Sequence, residues 1–141
     1  MGSPSLARIA DPTRLSRPRL QVHPSCPFLA ASPDQLVGAE GLLEVKCPRH
    51  GPQQRVPAHY LAQVVGQLQC TSRKWCDFIS FTEASVSVFR VERSDRFWAW
   101  LYPQLEAFYV ALETDEPPPA VRYDPSLQAL AESLCDLQRL C

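Results

Sequence analysis

Asp34, Glu44 and Lys46 are the residue types that metal-assisted hydrolysis of a phosphodiester requires. Two carboxylates can hold a hard divalent cation, while an ammonium group beside them can position or help deprotonate the attacking water and offset charge on the phosphate. Glu44 and Lys46 lie two apart in Leu42-Leu43-Glu44-Val45-Lys46-Cys47. In an extended strand both leave one face, and Leu43, Val45 and Cys47 leave the other. Asp34, in Ser32-Pro33-Asp34, precedes Glu44 by ten residues, and a hairpin of suitable register would set it beside the pair. The peptide carbonyl of Val45 can add a further oxygen. Asp followed by Glu-x-Lys also occurs on ordinary solvated strand faces, so the spacing gains meaning only from its surroundings.

Those surroundings read as alternating strands and helices. Phe28 to Gly38 is short, apolar and β-tolerant, with Pro33 restricting it to an edge or an irregular point. A turn at Ala39-Glu40-Gly41 joins it to the Leu42–Cys47 strand. Pro48 to Pro57 is a loop, and Pro57 stands where a helix begins. Across Ala58 to Cys70, Leu61, Val64, Val65 and Leu68 form an apolar stripe, and His59, Gln63 and Gln67 form a second at intervals of four. Trp75–Thr82 and Ser85–Glu92 are aromatic and β-branched and read as adjacent strands. Ser94 or Asp95 caps a longer helix bearing Phe97, Trp98, Leu101, Leu105, Phe108 and Leu112, which Pro103 should kink or split. A tail helix is expected over Ser126 to Leu140.

A chain of 141 residues, 45% hydrophobic, can bury one core. Its fourteen prolines thicken before Phe28 and again at Pro117-Pro118-Pro119. The expected division is a Pro/Arg leader over 1–27, disordered; a folded core over 28–114; and an acidic, proline-rich linker with a short helix over 115–141. No run of apolar residues is long enough to span a membrane, and Met1 to Ala10 lacks the apolar stretch of a signal peptide. The chain reads as intracellular, so Cys47, Cys70 and Cys76, set in apolar sequence, are expected as buried thiols. The cysteines and histidines lack the spacing of a zinc site. Net charge is −1, yet Val45 through Cys76 holds no Asp or Glu while Lys46, Arg49, Arg55, Arg73 and Lys74 fall there. That segment is locally basic, as a nucleic-acid contact or as solvated surface. Arg49 and His50 could meet phosphates at the mouth of the site or lie in a solvated loop. Tyr60 and Trp75 are expected in the core rather than stacked on bases.

Ser-Pro-Asp at 32–34, Gly-Leu-Leu-Glu-Val-Lys-Cys-Pro at 41–48, Tyr-Leu-Ala-Gln-Val-Val-Gly-Gln-Leu at 60–68 and Arg-Lys-Trp-Cys-Asp-Phe at 73–78 come in a familiar order. So does the Phe97-Trp98 helix ending in Glu106-Ala-Phe-Tyr109. Together they resemble the YqaJ-type viral recombinase family, the lambda-exonuclease-like branch of the PD-(D/E)XK nucleases, over roughly Phe28 to Glu113. The resemblance implies an α/β, restriction-endonuclease-like mixed sheet flanked by helices, and Mg²⁺-dependent exonuclease action on DNA, with Mn²⁺ as an alternative cation. It makes Asp34 and Glu44 the metal carboxylates, with the Val45 carbonyl beside them, Lys46 the catalytic lysine, and Gln63 the helix glutamine near the active site. Ser32, Arg49, His50, Gln67, Arg73 and Lys74 form the expected DNA-contacting set. The partners implied are duplex DNA ends and further copies of the chain, with no membrane.

Family members also carry, upstream of Ser-Pro-Asp, a helical block with a glutamate that completes the metal site. The first 27 residues do not read as that block, so the resemblance is to the C-terminal part of the domain. A cation would then rely more on water, and apolar surface left uncovered would favour oligomers. The alternatives are a non-catalytic DNA-binding remnant and an interaction module on the same fold.

Overall fold

Gly38 takes a left-handed backbone, φ 57°, which a residue without Cβ adopts freely, and there the chain reverses between β4 (Gln35–Val37) and β5 (Gly41–Lys46). The hairpin pairs Gln35 with Leu43, Leu36 with Leu42 and Val37 with Gly41. Pairing stops at Asp34, just past Pro33, as a residue without an amide hydrogen requires. The computed structural model describes residues 12–49, 51, 53–120 and 125–139.

From β5 the chain passes through α1 (Ala58–Thr71) to β6 (Trp75–Phe81), which lies parallel to β5 with Glu44 beside Phe78 and Lys46 beside Ser80. A strand–helix–parallel strand unit lays its helix across one sheet face. β7 (Val86–Glu92) returns antiparallel to β6. With β1 (Leu15–Ser16) and β8 (Cys135–Arg139) at its margins, the mixed sheet runs β1-β4-β5-β6-β7-β8. The expected α/β architecture is therefore present.

One sheet face holds the core. Leu42, Cys76, Phe78, Phe89 and Val91 meet Leu61, Val64, Val65 and Leu68 of α1 and Phe97 and Leu101 of α2 (Asp95–Thr114). The apolar stripe read from the α1 sequence is the stripe that is buried. Ser94 caps α2, its hydroxyl accepting from the Phe97 amide at 3.1 Å. The helix runs unbroken through Pro103, where a kink or split was expected. Ala99, whose carbonyl Pro103 leaves without its helical partner, is on the exposed side, where water can serve it. The anticipated apolar stripe is buried only over its first half, and Phe108 and Leu112 are exposed.

On the opposite sheet face Arg90 grips Asp77 through Nε and through Nη2, the latter at 2.9 Å. The guanidinium lies 3.8 Å from the centroid of the Trp75 ring. That ring fills the space a Cβ at Gly41 would need. Trp75 thus packs in the sheet rather than presenting a free face.

Two parts of the expected division differ. The described part of the 1–27 stretch is structured: Leu15 and Ser16 pair with Val37 and Leu36, and β2 (Gln21–Val22) pairs with β3 (Ala30–Ala31). This hairpin lies on α2, His23 stacking on Trp98 and Phe28 on Tyr109, with centroids 5.9 and 4.5 Å apart. At the other end α3 (Pro125–Leu134) stops earlier than Leu140, and the chain continues as β8 alongside β7. The strand satisfies backbone groups that would otherwise line an open edge of β7. Cys70 and Cys76 are buried thiols, whereas Cys47 is exposed. Cys47 shares the side of β5 from which Val45 also emerges exposed, so alternation carries it away from the helices.

Candidate active site

Continuing the β4–β5 register by one step sets Asp34 opposite Glu44. The side chains confirm the approach. The Asp34 amide donates to Glu44 Oε2 at 3.3 Å, and Asp34 Oδ2 accepts from the Val45 amide at 2.8 Å. Because the amide and carbonyl of one residue in an extended strand leave the same edge, the Val45 carbonyl also faces the Asp34 side.

Glu44 is 4% exposed, and burying a carboxylate demands donors. Four surround it. Lys46 Nζ and Gln63 Nε2 lie 3.1 and 3.5 Å from Oε1, and the Asp34 amide and Gln67 Nε2 lie 3.3 and 3.2 Å from Oε2. The polar stripe of α1 is solvated at His59 and Gln63 and buried at Gln67. Its Gln67 end is 3% exposed and turned down onto Glu44, while Gln63 reaches in from an exposed position. Gln67 must present its NH₂ to Glu44, since a carbonyl there would face a negative charge. Its Oε1 is then buried with no hydrogen-bond partner.

Lys46 is held on two sides, by Glu44 and by the Tyr60 ring, whose centroid lies 4.5 Å from Nζ. The expectation for Tyr60 is core packing, and no sequence pattern marks Ser80. The latter sits beside Lys46 across β5 and β6, fully buried, its hydroxyl without a partner. The register of Lys46 with Ser80 depends on a parallel pairing that the motif alone does not reveal.

The other expected contacts divide. Ser32, just before buried Pro33, and Arg49, beyond the end of β5, are exposed near the Asp34–Lys46 end of the sheet. His50 lies outside the described residues. His59 is exposed and packs its ring on Tyr60, centroids 4.1 Å apart. Arg73 and Lys74 are not brought to the site. They sit by Gly41, roughly 17 Å along β5 from Lys46 at about 3.3 Å per residue. Arg73 Nη1 donates to the carbonyls of Gly38 and Gly41 at 2.8 and 3.0 Å, and Lys74 pairs with Glu40 at 2.8 Å. These two cations secure the β4–β5 turn. The pairing also lowers the Glu40 carboxyl and raises the Lys74 ammonium relative to their ordinary values. Nor does Gln67 face outward toward a phosphate.

As a cation site, the cluster offers hard oxygens of the kind Mg²⁺ prefers: Asp34, Glu44 and the carbonyl of Val45. Two carboxylates against one ammonium leave an excess negative charge, and the Gln67 side chain that bonds Glu44 carries a buried oxygen without a partner. The residues fit a divalent cation that keeps much of its water. Among the described residues no group of three or more His, Cys, Asp or Glu converges as a metal site.

A mixed sheet with a crossover helix thus positions a buried glutamate flanked by aspartate, lysine and two glutamines on an α/β core. Residues 11–74 match the model of the YqaJ-like viral recombinase domain. The match starts well before Phe28 and so takes in β1 and β2, which the leader reading had left out. Among solved structures, the chain is similar to the alkaline exonuclease LHK-Exo from Laribacter hongkongensis, with a TM-score of 0.63, 30% identity, and coverage of 85% of this chain and 63% of that one. LHK-Exo in complex with dAMP gives a TM-score of 0.63 at 32% identity, over 72% of this chain and 57% of that one. The chain thus spans less than two thirds of the length of either. No curated protein sequence matches it. Among the described residues no helix is long and apolar enough to cross a membrane.

Proposed function

We propose that this chain carries the cation-binding and water-activating part of a Mg²⁺-dependent deoxyribonuclease that releases nucleotides from DNA ends. The observation that carries the reading is the pairing of Asp34 with Glu44 across the hairpin, with Lys46 3.1 Å from the Glu44 carboxylate. The likeness to an alkaline exonuclease, once in complex with dAMP, supports DNA as substrate and exonuclease action as its mode. In this reading Asp34, Glu44 and the Val45 carbonyl hold Mg²⁺, for which Mn²⁺ can substitute. The bound ion supplies an acidified water and charge neutralisation at the phosphate. Lys46 and Gln63 orient the attacking water and phosphate oxygen, Gln67 fixes the Glu44 carboxylate, and Ser32 and Arg49 meet the backbone where DNA enters.

Nucleotide release from linear duplex DNA with Mg²⁺, comparing the chain with Asp34→Ala and Lys46→Ala, tests this. Each substitution is expected to lower the rate by at least about a hundredfold, the scale of removing one preorganised catalytic group. Equal release by all three proteins would sink the catalytic reading. Salt-sensitive DNA binding with no cleavage would instead assign the chain to binding alone.

A further inference from the structure

The aromatic residue beside Lys46 has no part in the function proposed above, yet it ties that ammonium to the core. Tyr60 lies in the first turn of α1. Its ring centroid is 4.5 Å from Lys46 Nζ. The ring packs on Phe78, centroids 5.7 Å apart, and Phe78 in turn on Phe89 at 6.4 Å. Phe78 and Phe89 are both buried, so the ring that meets the ammonium is fixed from the core outward. His59 closes on the same ring at 4.1 Å. With Lys46, Phe78 and His59 around it, the ring has little face left for a nucleobase.

An ammonium is attracted to the face of an aromatic ring and is confined by it without surrendering all its N–H donors. A lysine has four flexible side-chain bonds, and one hydrogen bond to Glu44 does not by itself fix where its remaining donors point. A second, rigid contact does. Glu44 faces a cation in the proposed function, so its hold on Lys46 would weaken as that cation binds. The ring is neutral and keeps its hold.

We infer that Tyr60 is a positioning residue for Lys46, holding the ammonium over its ring so that the free N–H donors face the attacking water and the phosphate. The inference rests on the nuclease reading for its kinetic consequence, though the contact can be measured without it. The ring's electrons, not the bulk of the side chain, do the holding.

Phenylalanine and its mono-, di- and trifluorinated analogues placed at position 60 keep the size of the ring while draining charge from its face. Tyr60→Phe is expected to retain most of kcat for nucleotide release, and each added fluorine to lower kcat stepwise, to about tenfold in total. KM should stay within about twofold, since substrate binding does not use the ring. A kcat that is flat across the series, with unchanged melting temperatures, would overturn the inference, because a packing role predicts that result. Selective ¹³C labelling of Lys46 supplies the second readout. Its side-chain methylene protons are expected upfield in the parent and in Tyr60→Phe, and at ordinary shifts in Tyr60→Leu. Ordinary shifts in the parent would overturn the contact itself. If the parent releases no nucleotides, the nuclease reading fails, and the Lys46 shifts still decide whether Tyr60 holds the ammonium.

Discussion

Replacing Gln67 with methionine separates the role of this residue in the site from its role in the fold. The side chains are similar in length, and methionine adapts to irregular space. Two terms oppose each other. Losing the 3.2 Å bond from Nε2 to the buried Glu44 carboxylate removes a hydrogen bond to a charged group, about 1.5–3 kcal/mol. Losing Oε1, buried without a partner, removes a desolvation penalty of about 1–3 kcal/mol. The terms nearly cancel. Unfolding free energy should therefore change by less than about 1 kcal/mol, and the melting temperature by only a few degrees. The site should not be so forgiving. Glu44 keeps three donors but loses the one that fixes Oε2 from the helix side, and small misplacements at a reacting centre are costly. Nucleotide release should fall by about tenfold or more. Thermal unfolding by circular dichroism and the release assay, run on the same preparation, check both halves. A drop above about 10 °C in melting temperature would refute the cancellation, and undiminished release in a stable variant would refute the positioning role.

Three further outcomes follow from the fold. Asp77 is 1% exposed and held twice by Arg90, so Asp77→Ala, which strands a buried guanidinium, should cost about 3–5 kcal/mol in urea unfolding. Replacing both residues with apolar ones of similar volume should recover much of that loss. Asp95 accepts hydrogen bonds from Gln69 and Arg93, which hold its carboxyl below its ordinary value. A lowered folded-state value means that its stabilisation is present above the ordinary carboxylate pKa and is lost as pH falls through the lowered one. Asp95→Asn should therefore show a shallower decline of the urea midpoint across that acid window. Brief alkylation of the native protein, followed by mass spectrometry, should label exposed Cys47 before Cys70 and Cys76. Burial raises the thiol pKa of both latter residues, well above the ordinary value for Cys76, and so suppresses their thiolates.

The hairpin was the most legible part of the sequence. The turn and the alternation around Glu44 and Lys46 constrain the register, and that register brings Asp34 opposite Glu44. The apolar stripe of α1 was equally plain, because 3.6-residue periodicity and burial are the same fact seen twice. The Tyr60 contact was not legible. It depends on the height at which α1 crosses β5, which packing sets and sequence spacing does not. The basic segment misled for a related reason: a count of cations along the chain does not say which end of a strand they occupy. Arg73 and Lys74 ended at the turn, spent on carbonyls and Glu40. Strands of two residues, such as β1 and β2, carry too little pattern to stand out, and β8 is set by the waiting edge of β7 as much as by its own residues.

Because the chain covers only 57–63% of the lengths of the exonucleases it resembles, cation binding tests the site more directly than turnover. Mn²⁺ titration followed by the electron paramagnetic resonance signal of the free ion reports it. The chain is expected to deplete that signal with Asp34 and Glu44 intact, and Asp34→Asn or Glu44→Gln to weaken binding by about tenfold or more, near 1.4 kcal/mol. Equal depletion by the parent and both variants, with the fold preserved, would contradict a metal site across the hairpin.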